Sequence, residues 1–293
     1  MKKTIFSTAA FAPILFTTFQ LWNPLATAPA VQPQTTVQRP TQQPEGDLCG
    51  IGNDAFQGGE QLTYKVYFNW NFVWMEAGEV TFKVEDQGSI LHLVVEGKTY
   101  KSYEWFFKVR DRYESYVDKA TLQPSISIRD IQEGNFAMFS KQTFDHKNKT
   151  VAIEEGKSRT ENNKSREKFT GCVHDIVSMI YYARNLDQND YKKDDLVPIK
   201  VFMDKKTYPL NVHYKGKQNG NAIKGMGTFN TYTFTPEMVK GEVFKDQKSM
   251  KVVCTDDKNR IPLLIESPLA LGYIKVMLSD SKGLRNPFVA KIK

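Results

Sequence analysis

The residue types that come nearest to chemistry in this chain are Arg110, Asp111 and Arg112. In a strand, Arg110 and Arg112 share one face, and Asp111 points the other way with Val109 and Tyr113. A carboxylate on an apolar face needs a partner. Asp111 therefore reads as a buried carboxylate bonded to backbone or to an arginine; the functional alternative is a polar anchor inside a cavity. Arg129 and Asp130 have the charges to pair with this run across a sheet. The four histidines, His92, His146, His174 and His213, offer no two at metal-ligand spacing and no H-E-x-x-H. Cys172 and His174 are the right types for a nucleophile and its base. Residues two apart on a helix do not face each other, so the pair is set aside. Asp175 next to them reads as a first-turn carboxylate that favours the helix dipole. Asp256, Asp257 and Asn259 are oxygen donors of the calcium kind, but their spacing is not that of an EF-hand loop and Arg260 follows at once. They read as a solvated turn. There is no G-x-S-x-G and no phosphate loop, and Gly216, Gly220, Gly225 and Gly227 are spaced as turns. The expectation is a protein that is not an enzyme and that carries no cofactor and no metal.

The elements that would position these residues are mostly strands. Leu62, Tyr64, Val66, Phe68, Trp70 and Phe72 alternate with Thr63, Lys65, Asn69 and Asn71, the pattern of a long strand buried on one side. Residues 78–84 and 91–95 continue the pattern. A fourth strand is predicted from Trp105 through Phe107, Val109 and Tyr113 to Val117, then a break at Leu122-Gln123-Pro124. Residues 125–131 and 135–144 read as a pair joined at Glu133-Gly134. Residues 145–168 are rich in Lys, Glu and Asn, and predict one short exposed strand followed by a mobile loop. Val173, Ile176, Val177, Ile180 and Tyr181 have helical spacing and predict one helix of about four turns. Six strand segments follow. Two of them, 196–203 and 207–214, form a hairpin turning at Asp204-Lys205-Lys206, with Pro198 and Pro209 placing both at edges or bulges. Residues 250–255 and 260–267 flank the turn at Asp256–Asn259, and residues 271–279 close the series. Roughly a dozen strands against one helix predict an all-β, mostly antiparallel barrel or half-barrel. The aromatic stripe of Tyr64, Phe68, Trp70, Phe72 and Trp74 is foremost core, and barrels of this size also enclose cavities. Tyr64, Phe68, Trp70, Phe72, Asp111 and Tyr113 are therefore the candidate cavity-lining residues.

Of 293 residues, 40% are hydrophobic and 12% aromatic, enough for one sizeable core. The net charge of +7 is spread among acids, which reads as a solvated surface and argues against nucleic acid as partner. The start of the chain has the form of a cleaved leader. Lys2 and Lys3 precede an apolar run to Trp22, and Ala28-Pro29-Ala30 offers a cleavage site after Ala30. Pro13 and Gln20 break that run short of a bilayer span, so the mature chain is expected to have no integral membrane span. Loss of both lysines leaves an excess of five. Residues 31–48 are rich in Pro, Gln and Thr and predict a flexible tether; a single domain then runs from Cys49 to Lys293. Three cysteines, Cys49, Cys172 and Cys254, allow one bridge and one free thiol, and their spacing does not choose among three pairings. Buried free thiols are the alternative. Glu45-Gly46-Asp47-Leu48 before Cys49 is no lipobox.

Four pieces of the chain, in this order and spacing, resemble the bacterial exported family called domain of unknown function 3108. They are Gly59-Glu60 leading into LTYKVYF, then Ala77-Gly78-Glu79-Val80, then FFKVRDRYESYVD with Leu122-Gln123-Pro124, and last IPLLIESPLALGYIKVML. The resemblance implies a mostly antiparallel β fold, an open or closed barrel, in the envelope of a Gram-negative bacterium. The family has no known activity, so no catalytic residue carries over. The functional expectation is a periplasmic or envelope protein whose barrel holds an apolar or amphiphilic molecule. The candidate partners are a lipid, a glycan or an envelope protein. A solid-core interaction module and a cell-wall hydrolase using Asp111 or Glu114 are the alternatives.

Overall fold

The computed structural model describes residues 49–70, 73–236, 250–268 and 272–293. The expected leader and the whole of the tether lie outside the described residues, as does Phe72. The first arm of the fold is a meander of eight strands: β1 (Gln61–Trp70), β2 (Val73–Gln87), β3 (Ile90–Thr99), β4 (Arg110–Asp118), β5 (Pro124–Glu133), β6 (Phe136–Asp145), β7 (Thr150–Gly156) and β8 (Asn162–Lys168). A short helix α1 (Ile176–Ala183) follows. The second arm comprises β9 (Leu196–Met203), β10 (Lys206–Ile223), β11 (Gly227–Pro236), β12 (Lys251–Thr255), β13 (Pro262–Pro268) and β14 (Tyr273–Lys282). All fourteen strands form one antiparallel sheet in which β1 pairs with β14, welding the two arms. The fold is the all-β architecture expected, with fourteen strands.

Alternation is cleanest in β1, where Leu62, Tyr64, Val66 and Phe68 are buried and the residues between them are half-exposed. Gly78 of the Ala77-Gly78-Glu79-Val80 piece is required by close approach: a Cβ there would stand 2.3 Å from the Lys98 carbonyl oxygen. Pro198 lies on β9, an edge strand. Pro209 lies in the part of β10 before its pairing with β11 begins at Val212, so neither removes a ladder hydrogen bond from a doubly paired strand.

The sheet curls but does not close, because no ladder joins β8 to β9 among the described residues. A strap of residues 169–175 spans the seam instead. His174 N–H donates to the Lys200 carbonyl (2.9 Å), and Phe202 N–H donates back to His174 (2.8 Å). Phe144, Val151, Ile153, Phe169, Val173 and Phe202 pack into a small core beneath it. Cys172 in this strap is bridged to Cys49, and Cys254 is the buried free thiol. The bridge rules out Cys172 as a nucleophile.

Several expectations are corrected. Residues 145–168 hold a full hairpin, β7 with β8, where one strand and a mobile loop were expected. β4 begins at Arg110, and the chain around Trp105 is a series of turns. The helix has eight residues, because Val173 belongs to the strap and Asp175 is the N-cap. The Asp175 carboxylate accepts from Val177 N–H (2.8 Å) and Ser178 N–H (3.2 Å). The Asp256–Asn259 turn is not solvated: Asp257 and Asn259 are buried, and Asp257 accepts from Thr255 Oγ1 (2.9 Å) and from Asn259 N–H (3.0 Å).

Candidate functional site

Helix α1 lies in the concave interior and touches both arms, with Ile176, Val177 and Tyr181 in the main core. Between α1 and the second arm is a cavity of about 170 Å³. Met179, Ile180 and Ala183 line its helical wall, Leu62 and Tyr64 its β1 wall, and Val276, Ile265, Val252, Phe234 and Leu210 are among the rest. The hydrogen-bonding groups on the walls are neutral or already engaged. Burial pushes the Cys254 thiol up to about 12 and holds the Tyr232 and Tyr64 phenols well above their ordinary value. Tyr181 differs, because its hydroxyl is buried without a hydrogen-bond partner.

One end of the curled sheet is closed by polar contacts. Burial opposes the charge of Arg184 at the end of α1, but the Glu60 carboxylate beside it outweighs that and keeps the guanidinium above its ordinary pKa. The two side chains are 3% and 1% exposed and bond at 2.5 and 2.9 Å. Arg260 bonds Asp54 (2.6 Å) and Gln188 (3.2 Å), and Asn259 donates to the carbonyls of Asn286 and Pro287. The cavity stops against this network.

Towards the opposite end, the inner face of the first arm is polar. Tyr113 pairs in register with Arg129, and Asp111 and Glu133 lie on the same face. The Asp111 and Glu133 carboxyls hydrogen-bond to each other. Burial, then the neighbouring acid, pushes Glu133 up to about 8; burial pushes Asp111 up to about 6. Gln132 N–H donates to Asp111 Oδ1 (3.1 Å), while Glu133 Oε1 is buried with no partner. Arg129, 4% exposed, donates from Nη2 to Asp204 (2.7 Å), and its Nη1 has no partner. This corrects the expected pairing: Arg129 engages the β9–β10 turn, Arg112 engages Glu96 and Glu114, and Asp130 engages Arg159. The pair of carboxyls can hold a proton between them at neutral pH, and Arg129 and Glu133 each keep one buried atom for a further hydrogen bond.

The residues singled out in the sequence do not come together in one place. Tyr64 lines the cavity. Phe68 is in the main core, and Trp70 closes β1 opposite Val73. Asp111 and Tyr113 belong to the polar inner face of the first arm. Trp74, the last of the stripe, is exposed at the start of β2. Sequence reasoning missed Glu133, Arg184 and Tyr181 as site residues. Glu133 was within reach, since extending the alternation of Arg129 and Ile131 puts it on the inner face. A second concavity of about 470 Å³ lies on the outer surface, between β1, β14 and the C-terminal tail, lined by Lys65, Tyr67, Met277, Phe288 and Lys291 among others.

These features define a class: a curled, unclosed antiparallel sheet with an interior helix, closed at one end. The chain belongs to the family described as protein of unknown function DUF3108, whose model matches residues 63–279. No curated protein matches it. Among solved structures it is similar to a β-barrel-like protein of the DUF1849 family from Brucella abortus. The identity is 7% and the TM-score 0.50, over 78% of this chain and 99% of that one. This likeness concerns the fold alone. A protein with a YmcC-like fold from Bacteroides fragilis aligns at 9% identity over 80% of this chain and 100% of that one, with a TM-score of 0.26. At that score the second likeness says nothing about this chain.

Proposed function

We propose that this protein is an exported, non-catalytic carrier that holds the apolar part of an amphiphilic envelope molecule between α1 and the second arm. The observation that carries the reading is the Tyr181 hydroxyl, buried without a partner at a mostly apolar cavity. A buried polar atom left unpaired costs stability, and such atoms are rare unless a ligand or solvent meets them. At about 170 Å³ the cavity is smaller than the roughly 300–1,000 Å³ that drug-sized ligands fill, so a slender chain suits it better than a bulky ring system. Export is supported by the leader-like start of the chain and by the Cys49–Cys172 bridge, since disulfides persist in oxidising compartments.

Native mass spectrometry of the purified chain, with lipid extraction, tests the reading. A co-purifying single-chain amphiphile is expected, and Ala183→Phe, which places a ring in the cavity, should abolish it while the protein stays folded. Protein that carries nothing and does not bind a fluorescent fatty acid would sink the carrier and leave a solid-core interaction module. Subcellular fractionation tests export separately, with the mature chain expected in the periplasmic fraction.

A further inference from the structure

Nine large apolar side chains are exposed among the described residues, and six of them gather at the end of the sheet away from the Arg184–Glu60 network. Val73, Trp74 and Met75 open β2, Trp105 and Phe106 stand on the β3–β4 connection, and Tyr273 opens β14. They are remote in sequence, yet the fold ties them together. Asn69, near the end of β1, pairs with both Trp74 and Tyr273, and Tyr100 N–H donates to the Ala77 carbonyl (3.0 Å). Trp105 is 83% exposed, with its ring edge-on to Phe106. Such a cluster has no role in the core and marks an interaction surface.

Charge selects the occupant. Among the described residues, the surface acids around these side chains are neutralised by bases of the protein itself: Glu76 by Lys65, Glu79 by Lys98, Glu104 by Arg110 and Glu266 by Lys275. Lys101 and Lys108, both exposed, flank Trp105 and have no acidic partner among the described residues. Lys275 Nζ lies 4.7 Å from the centre of the Trp74 ring, so a cation and an aromatic ring are presented together. Aromatic side chains on separate tips with unpaired lysines around them match the headgroup layer, where rings enter the acyl boundary and ammonium groups stay with phosphates. We propose that this end docks on the surface of an anionic lipid bilayer, with Trp105 and Phe106 as the deepest anchors and Lys101 and Lys108 as the phosphate contacts. No helix among the described residues is long and apolar enough to cross a membrane, and the docking proposed here is superficial. It does not depend on the cavity holding a ligand.

Sedimentation of the leaderless chain with vesicles of phosphatidylethanolamine and phosphatidylglycerol tests this. Binding is expected, and Trp105→Ser with Phe106→Ser should weaken it about tenfold or more. Lys101→Glu with Lys108→Glu should weaken it severalfold at low salt and little at high salt. Ala183→Phe should leave it intact, which separates this proposal from the carrier reading. Absence of vesicle binding, including the case where a protein partner covers the patch, overturns the proposal, as does full binding by the folded Trp105/Phe106 variant. If that variant does not fold, the unaltered chain decides: tryptophan emission must be quenched by brominated acyl chains, and unquenched emission overturns the docking.

Discussion

The two ends of the curled sheet handle polar and apolar groups in opposite ways. At the closed end, Arg184, Glu60, Arg260, Asp54 and Asn259 are bonded to one another or to backbone, and the large apolar side chains that face out there are Val289 and Ile292 of the C-terminal tail. At the other end, six large apolar side chains face solvent, while two carboxyls crowd together inside and Glu133 Oε1 and Arg129 Nη1 lack partners. Natural interiors satisfy buried polar groups almost completely. The charged groups of the closed end follow that rule and serve the fold, and the neighbouring Tyr181 hydroxyl is the departure. The aromatic end departs from it inside and also exposes apolar side chains outside, which is where a partner would complete the arrangement.

Three measurements put this contrast at risk. The largest effect is expected at the closed end. Arg184→Met strands the Glu60 carboxylate, 1% exposed, and should cost about 3–5 kcal/mol in urea unfolding; adding Glu60→Leu should recover most of it. A small loss would mean that the network is not the plug described. Next comes the Asp111–Glu133 pair. The ordinary values of these carboxyls are 3.8 and 4.5, and in the folded chain they rise to about 6 and about 8. The folded state therefore holds more protons between these limits. The stabilisation is complete below about pH 4 and declines as pH rises towards 8, by at least about 1.4 kcal/mol, which corresponds to a tenfold change in proton affinity between the folded and unfolded chain. Thermal melts from pH 5 to 9 should show the slope, and Glu133→Gln should flatten it. The smallest effect is expected on the aromatic rim: Trp105→Ser should move stability by less than about 0.5 kcal/mol, since that ring is 83% exposed and little packing is lost. A large drop in melting temperature would make this ring structural.

Much of the fold was legible because one-sided burial writes a period of two into the chain, as in β1. The misreadings have physical causes. β8 reads NNKSREK, polar on both faces, and is held by its backbone ladder with β7 rather than by side chains. Trp105, Phe107 and Val109 mimic strand alternation, but the chain turns there and Trp105 points into solvent. Val173 has helical spacing with Ile176 and Val177, yet its segment pairs with an edge strand, and tertiary contact overrides local pattern. The site was less legible than the fold. The Cys49–Cys172 pairing joins segments 123 positions apart, which local spacing does not encode, and the meeting of Asp111 with Glu133 depends on the β4–β5 register. Nothing in the sequence around Arg184 marks it, and only the fold brings Glu60, 124 positions away, beside it.

The β1–β14 weld has a consequence in time. Ser279 Oγ bonds the Thr63 carbonyl across 216 positions of chain, and among the described residues β14 is the strand that ties the second arm to the first through the sheet. Each arm is a run of local hairpins that can form as it emerges, whereas the cavity and the aromatic rim both need strands from either side of the weld. Contacts between distant parts of a chain are slow to form. The apolar walls of β1 and β2 therefore wait, uncovered, for the last strand, and a chain stopped short of Tyr273 would have two arms but neither a pocket nor a complete rim.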